Sequence, residues 1–366
     1  MALLFIGAIS GTSVDGLDLA MIDVEPDIPR IVDATTQSIP DSLADALRAL
    51  ARPGTGDLDR MAGADAELGE LIGHSVREFA ANSPVRAVGS HGQTIRHNPR
   101  GAAAHTVQIG DPHRVAEFSG LDTIADFRRR DIAAGGEGAP LVPLFHEALF
   151  RPSSGERVVV NIGGISNLTI LAPDLTNGFD TGPGNALLDA WIRNQRRLAF
   201  DRDGAWSATG RVIPRLLTDL EQDDFVRAPP PKSTGKDLYN LDYLRRRLKG
   251  PEDPADVQAT LAEFTAASIA TAVETWSPPA ADVVVCGGGR LNGDLMNRIE
   301  RRLATRPVMR TEALGVDGDA VEAAAFAWLA YRFLKRLPGN SPAVTGAAGP
   351  RVLGALFPAN SNRQIR

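Results

Sequence analysis

A single cysteine, Cys286, stands in a chain of 366 residues, so no disulfide can form within it. The Cys/His spacings of a structural zinc site are missing as well. No stretch approaches the roughly 20 consecutive apolar residues that a membrane span needs. The chain starts on an apolar, strand-like run, without a basic segment and small-residue cleavage site, which leads us to expect a soluble, cytoplasmic protein that does not bind membrane. Basic runs are short, the longest being Arg128–Arg130 and Arg245–Arg247, and the formal net charge is −6. Nucleic-acid binding relies on clustered positive charge, so that class of partner is excluded from the expectation. Neither a G-x-x-x-x-G-K-[ST] loop nor a G-x-G-x-x-G turn opening a helix occurs.

What is present is enough apolar residue, 43% with 23% charged, for two cores. "LLFIGAISGTSVDGLDLAMIDVE" reads as strand, glycine-rich turn, strand, and "PRIVDATTQSIP" as a third strand. Two segments with helical spacing follow, "DSLADALRAL" and "LDRMAGADAELGELIGHSVREFAANSP". "VRAVGSHGQTIRHNP" reads as a strand running into a polar loop, "AHTVQIGDPHRVAEFSG" as strand, turn and helix, and "LDTIADFRRRDIAAGGEGAP" as a strand entering a glycine-rich link. The second half repeats the opening: "RVVVNIGGISNLTIL" is again strand, glycine turn, strand. "GFDTGPGNALLDAW" reads as a loop feeding a helix, "ADVVVCGGGRLNGDLMNRIERRLA" as strand, glycine loop and helix, and "VEAAAFAWLAYRFLKRL" as a final helix. The tail from Thr345 to Arg366 reads as loop. This pattern predicts two α/β domains of similar build facing each other across a cleft, residues 1–135 and 136–366, with the boundary near "AAGGEGAP".

Three glycine-rich turns close strands: "GTSVDG", "NIGGISN" and "CGGGRLN". A plain hairpin needs only Asp15-Gly16, whereas outward-pointing N–H groups on Gly11-Thr12-Ser13 form a concavity for an anion. One such turn in each half, Gly163-Gly164 being the second, suits the β- and γ-phosphates of a nucleotide. Gly287-Gly288-Gly289, before a helix, suits a close approach to adenosine or the α-phosphate. Asp180 has two readings, a turn or capping acid and a general base on a rigid loop, with Thr181 or Asn185 able to cap in its place. His91, Gln93, Thr94, His97, Gln108 and Asp111 supply the hydrogen-bonding side chains a sugar site uses. Arg128 or Arg130 in "DFRRRD" is either part of a solvated charge run or a bidentate carboxylate receptor. "KSTGKDLYN" is equally a mobile loop and a source, in Lys232, of a cationic phosphate contact. Glu322 is an isolated acid on an apolar helix, and Cys286 reads as a small core residue.

Taken in order, "GAISGTSVDGLD", "SHGQTIRHNP", "VQIGDP", "ADFRRRDIAAGGEGAPLVP", "NIGGISNLT", "GFDTGPGNALLDAW", "KSTGKDLYN", "CGGGRLNGDLM" and "DGDAVEAAAFAWLA" closely resemble the anhydro-N-acetylmuramic acid kinase family of the sugar-kinase, Hsp70 and actin superfamily. "PAVTGA" departs from the family's usual form by a residue or two. The resemblance implies two actin-like (RNase H-like) α/β domains flanking an interdomain active-site cleft. It also implies an enzyme that converts 1,6-anhydro-N-acetylmuramic acid, ATP and water to N-acetylmuramic acid 6-phosphate and ADP in cell-wall recycling. ATP binding then maps onto Gly11, Thr12, Ser13, Val14, Asp15, Gly16, Leu17 and Asp18, the general base onto Asp180 and a sugar contact onto Glu322. With Gly163, Gly164 and Gly287–Gly289 for the nucleotide and Gln93, Arg128 and Arg130 for the sugar, the expected site is complete except for its Mg²⁺ ligands, which stay unassigned. Relatives suggest a homodimer.

Overall fold

The computed structural model describes residues 2–360 except 12, 13, 15, 53–57, 82, 174, 236 and 237. The chain forms two compact units: Met1–Leu149 with Ala320–Arg366, and Phe150–Asp319. The boundary expected near residue 135 therefore falls at 149/150, and the C-terminal segment belongs with the first unit rather than the second.

The first unit carries strands β1 (Leu4–Ser10), β2 (Leu17–Asp23), β3 (Arg30–Gln37), β4 (Val85–Asn98), β5 (His105–Ile109) and β6 (Thr123–Ala125). In the second unit these are followed by β7 (Arg157–Ile162), β8 (Ile165–Ala172), β9 (Leu175–Pro183), β10 (Asp282–Cys286) and β11 (Val308–Arg310). The main path of the first sheet runs β3-β2-β1-β4-β6, and that of the second runs β9-β8-β7-β10-β11. In both, the first three strands in sequence are antiparallel neighbours and the other two of the main path join in parallel, while β5 pairs antiparallel with β4 off that path. Two units with one topology explain why the strand–glycine–strand pattern occurs twice in the sequence. The chain has a mixed α/β fold.

Apolar side chains from both sheets make separate cores. Ile6, Leu17, Leu19, Leu68, Ile72 and Val88 are fully buried in the first, and Val158, Val160, Phe179, Val283 and Ile299 in the second. The C-terminal helix Val321–Leu334 packs on the first sheet because two strand glycines let it approach. A Cβ on Gly7 would collide with the Ala323 carbonyl, and one on Gly89 with that of Phe326. The alanine-rich buried face of that helix, Ala323 to Ala330, meets β1, β2 and β4 directly.

Three local expectations change. β4 is one continuous strand through "SHGQTIRHN", because β5 pairs with its polar half from Gln93 to Asn98. The tail is not all loop: Ala355–Phe357 pairs antiparallel with β6. "GFDTGP" belongs to β9, so Asp180 sits on a strand paired with β8 rather than on a loop.

Candidate active site

In the first unit, β1 and β2 are joined by the turn expected to hold phosphate, of which Thr12, Ser13 and Asp15 lie outside the described residues. Val14 N–H donates to the Gly11 carbonyl at 3.0 Å, and Val14 itself adopts a left-handed backbone, φ +53°. Arg48 Nη2 donates to the Val14 carbonyl at 2.8 Å, tying the turn to the helix Asp41–Ala51. The side chains of Val14 and Leu17 are buried in the core, so these two residues have only backbone to offer a ligand. Asp18 accepts from Thr36 Oγ1 at 2.7 Å. Gln93 is buried; its Oε1 accepts from Ser10 Oγ at 2.6 Å and its Nε2 donates to the Thr94 carbonyl, so both ends of the amide brace the strand ends beside the turn.

His91 is the extra residue of a bulge between β1 and β4, where Ala8 pairs with Ser90 and Ile9 with Gly92. A bulge re-aims a side chain, and here the imidazole meets Arg128. Arg128 Nε donates to His91 Nε2 at 2.9 Å, while His91 Nδ1 donates to the Gly92 carbonyl at 3.0 Å. Burial, reinforced by the neighbouring guanidinium, holds His91 well below the usual histidine range, so the ring is neutral and its Nε2 lone pair accepts. Arg128 Nη1 donates to the Gly138 carbonyl at 2.8 Å. The half-buried Arg128 is thereby held, whereas Arg130 is exposed. The next residue, Asp131, is fully buried and accepts from Gly138 N–H, Asn340 Nδ2 and Thr345 Oγ1, which fixes the glycine-rich link to the C-terminal segment. Glu322 is exposed in the first turn of its helix.

The second unit gathers its candidates more tightly. Asn161 of β7 pairs with Cys286 of β10 in parallel register, so the Gly163-Gly164 and Gly287–Gly289 turns leave neighbouring strands at the same end. Gly287 has φ +76°, and a Cβ there would meet Asn161 Oδ1 and lie 2.9 Å from the Ile162 carbonyl. A Cβ on Gly289 would strike Ile162, while one on Gly288 would meet nothing within 4 Å. Arg290, almost completely buried, fixes this loop from behind by ion pairs to Glu312 (2.6 Å), Asp317 (3.1 Å) and Asp319 (2.5 Å). The Gly163 and Gly164 carbonyls accept from the N–H groups of Asn185, Gly184 and Ala186, and so cap the helix Ala186–Arg196. Neither Asp180 nor the Asn185 side chain caps it; Asn185 makes no side-chain cap bond, and Thr181 Oγ1 instead pairs with Ser166. The capping reading of Asp180 is thereby removed.

Asp180 lies opposite Asn167, which lies opposite Asn161, so three polar side chains share one face across β9, β8 and β7. Thr181 is the extra residue of a bulge, since Ser166 pairs with Gly182 and Asn167 with Asp180. The Asp180 carboxylate is buried, and its Oδ2 accepts from Thr234 N–H at 2.8 Å and Ser233 Oγ at 3.1 Å. Its own N–H donates to the Lys232 carbonyl at 3.2 Å. Lys232 is buried and donates to the Phe225 and Val226 carbonyls at 3.0 and 2.8 Å, so it is no phosphate-seeking side chain in this structure. Burial pulls its pKa down to about 8 against the upward pull of Asp180 and Asp223. Asn161, Asn167 and Arg290 are not singled out in the sequence, and Ser233 and Thr234 read there only as part of a loop or phosphate contact. The row of asparagines follows from strand register, and the clasp on Asp180 joins residues more than fifty positions apart.

Two pockets of the second unit, about 460 and 450 Å³, are lined around Trp206 and Tyr243 and include neither Asp180, its Ser233 and Thr234 donors nor the glycine turns. Among the described residues no group of three or more His, Cys, Asp or Glu forms a metal cage. A Mg²⁺ carried on nucleotide phosphates keeps most of its waters and needs at most one or two carboxylates, so it requires no such cage.

A family model described as anhydro-N-acetylmuramic acid kinase matches residues 3–359. The chain is 49% identical over 363 residues to the anhydro-N-acetylmuramic acid kinase of Pseudomonas paraeruginosa, covering 97% of this chain and 99% of that one. It is 46% identical over 365 residues to the same-named protein of Shewanella amazonensis, covering 97% and 99%. The solved component A of (R)-2-hydroxyglutaryl-CoA dehydratase from Acidaminococcus fermentans aligns over 90% of this chain and 98% of its own at 13% identity, with a TM-score of 0.44, too distant to carry further comparison.

Proposed function

The chain belongs to the anhydro-N-acetylmuramic acid kinase family, and from that premise we propose that it opens the 1,6-anhydro ring of 1,6-anhydro-N-acetylmuramic acid with water and phosphorylates O6 from ATP. The products are N-acetylmuramic acid 6-phosphate and ADP, and the role is cytoplasmic recycling of cell-wall sugar. The observation that carries the reading is Asp180, a buried carboxylate on a strand, beside a bulge, held at one oxygen by two donors.

O6 of the substrate is locked in an acetal with C1 and has no proton to lose. Asp180 therefore takes a proton from water as the water oxygen bonds to C1 and the C1–O6 bond breaks. The electron pair of that bond stays on O6, which attacks the γ-phosphorus while the bond to the β,γ-bridging oxygen breaks and leaves with ADP. The proton on Asp180 then passes to solvent. One carboxylate thus serves ring opening and transfer, and the remaining work is positioning. Gly11–Asp18, Gly163-Gly164 and Gly287–Gly289 are assigned to ATP. Mg²⁺ bound with the nucleotide supplies charge neutralisation at the phosphates. Arg128, rather than the exposed Arg130, is assigned to the substrate's lactyl carboxylate, because its guanidinium is already oriented by His91 and Gly138. Gln93 and Glu322 are assigned to the sugar.

Reaction in ¹⁸O-water tests the sequence of steps. Label is expected at C1 of the sugar product and none in the transferred phosphate. Label in the phosphate would mean that water attacked phosphorus and would overturn the reading.

A further inference from the structure

Three consecutive residues hold Asp180. The Lys232 carbonyl accepts its backbone N–H, and Ser233 Oγ and Thr234 N–H both donate to the same carboxylate oxygen, Oδ2. We infer that Lys232-Ser233-Thr234 is the positioning element of the general base, which fixes the carboxylate through Oδ2. The inference rests on the assignment of Asp180 as base.

A carboxylate on a strand turns about its terminal torsion, which is broad and roughly two-fold. Two donors on one oxygen fix its plane. Donors to the charged form also keep it charged. The element is itself anchored: Lys232 Nζ donates to two carbonyls of the short helix Asp224–Arg227 and lies over the Phe225 ring at 5.0 Å and the Phe179 ring at 5.8 Å. That short helix is held in turn by Asp223, whose carboxylate caps it and accepts from both Tyr239 and Tyr243 hydroxyls at 2.9 Å. Lys232 brings positive charge toward both Asp180 and Asp223. Nothing in this arrangement points Lys232 or Ser233 at a phosphate.

The test is the pH profile of kcat, measured on the full chain with ATP and the anhydro sugar. Ser233→Ala is expected to lower kcat about tenfold, in line with loss of one hydrogen bond to a charged group. It should also move the acid limb to higher pH, because the ionised carboxylate has lost a donor, and leave the KM for ATP unchanged. Ser233→Thr keeps the hydroxyl and should restore both. Lys232→Met should move the acid limb the same way, since it removes the anchor and the charge together. Were the segment merely structural, these variants would lower the melting temperature and leave the acid limb in place, and that result overturns the inference. Asp180→Asn, run alongside, separates the two claims. An inactive Asp180→Asn with an unmoved Ser233→Ala profile removes the positioning element alone, whereas a fully active Asp180→Asn removes the base and this inference with it.

Discussion

Arg128 Nε donates to Nε2 of a neutral His91 at 2.9 Å, although cation and imidazole usually avoid such a pairing. The Gly92 carbonyl fixes the ring's other nitrogen as donor, so the imidazole can only accept from the guanidinium. Orienting an arginine this way is useful where a planar anion has to be met. Arg128→Ala is therefore expected to raise the KM for the anhydro sugar at least about tenfold with the KM for ATP unchanged, the scale of a lost charge-assisted pair. Arg130→Ala, on an exposed side chain, should leave both constants at wild-type values. Wild-type sugar KM values in both variants would show that "DFRRRD" contributes no carboxylate receptor.

Much of this arrangement was legible in the sequence for a definite reason. The repeat of apolar run, glycine turn and apolar run reports strand pairing between neighbours in sequence, and β1-β2 and β7-β8 are such pairs. The parallel additions β4 and β10, and the pairing of the polar half of β4 with β5, depend on contacts that composition does not report. Asp180 reads in the sequence both as a turn or capping acid and as a general base, yet its strand is hidden by glycine and proline, residues that usually mark loops. Ser233 and Thr234 stand out within "KSTGKDLYN", but their bonds to Asp180, like the partners of Arg290, are set by tertiary folding and are not legible there. The C-terminal helix gave no sign of its unit, since two glycines on distant strands decide where it packs.

Gly287 and Gly288 separate backbone requirement from ligand contact. Gly287 needs its left-handed backbone, and any Cβ there meets Asn161 and Ile162. Gly287→Ala should lower both the melting temperature and the affinity for ATP. At Gly288 a Cβ meets nothing within 4 Å, so Gly288→Val should leave the melting temperature within about 2 °C of wild type, as for an exposed change away from special features. If the loop lies against the nucleotide, the same variant should weaken ATP binding by calorimetry at least about tenfold, the scale of an overpacked contact. Unchanged affinity in Gly288→Val would detach this loop from the nucleotide.

His146 gives the first unit a pH-sensitive core. It is fully buried in the helix Pro143–Phe150, and burial lowers its pKa from 6.5 to about 3. Below pH 6.5 the unfolded chain takes up a proton there that the folded chain refuses until about pH 3, so stability falls as pH falls through that window. His91, held low by burial and Arg128, acts with the same sign. Each pKa unit corresponds to about 1.4 kcal/mol. Urea midpoints are expected to drop steadily from pH 7 to pH 4, and His146→Leu should flatten that slope. A slope identical to wild type in His146→Leu would show that this imidazole does not link folding to protons.

Asp180→Asn separates this chemistry from that of an ordinary sugar kinase. Such a kinase uses its base on a hydroxyl that already exists, and the base there only assists. In the proposed reaction O6 is tied to C1, so without activation of water no acceptor for the phosphoryl group would be made. The asparagine keeps the size of the side chain and one acceptor oxygen, which can still receive Thr234 N–H and Ser233 Oγ, the two bonds that hold the native carboxylate. The strand, its bulge and the glycine turns should survive, and ATP affinity should be near wild type by calorimetry. General-base assistance is typically worth about 10²- to 10⁴-fold, so turnover should fall at least about a hundredfold. Loss of turnover together with loss of ATP binding would point to a collapsed site, and full turnover would mean that another group activates the water.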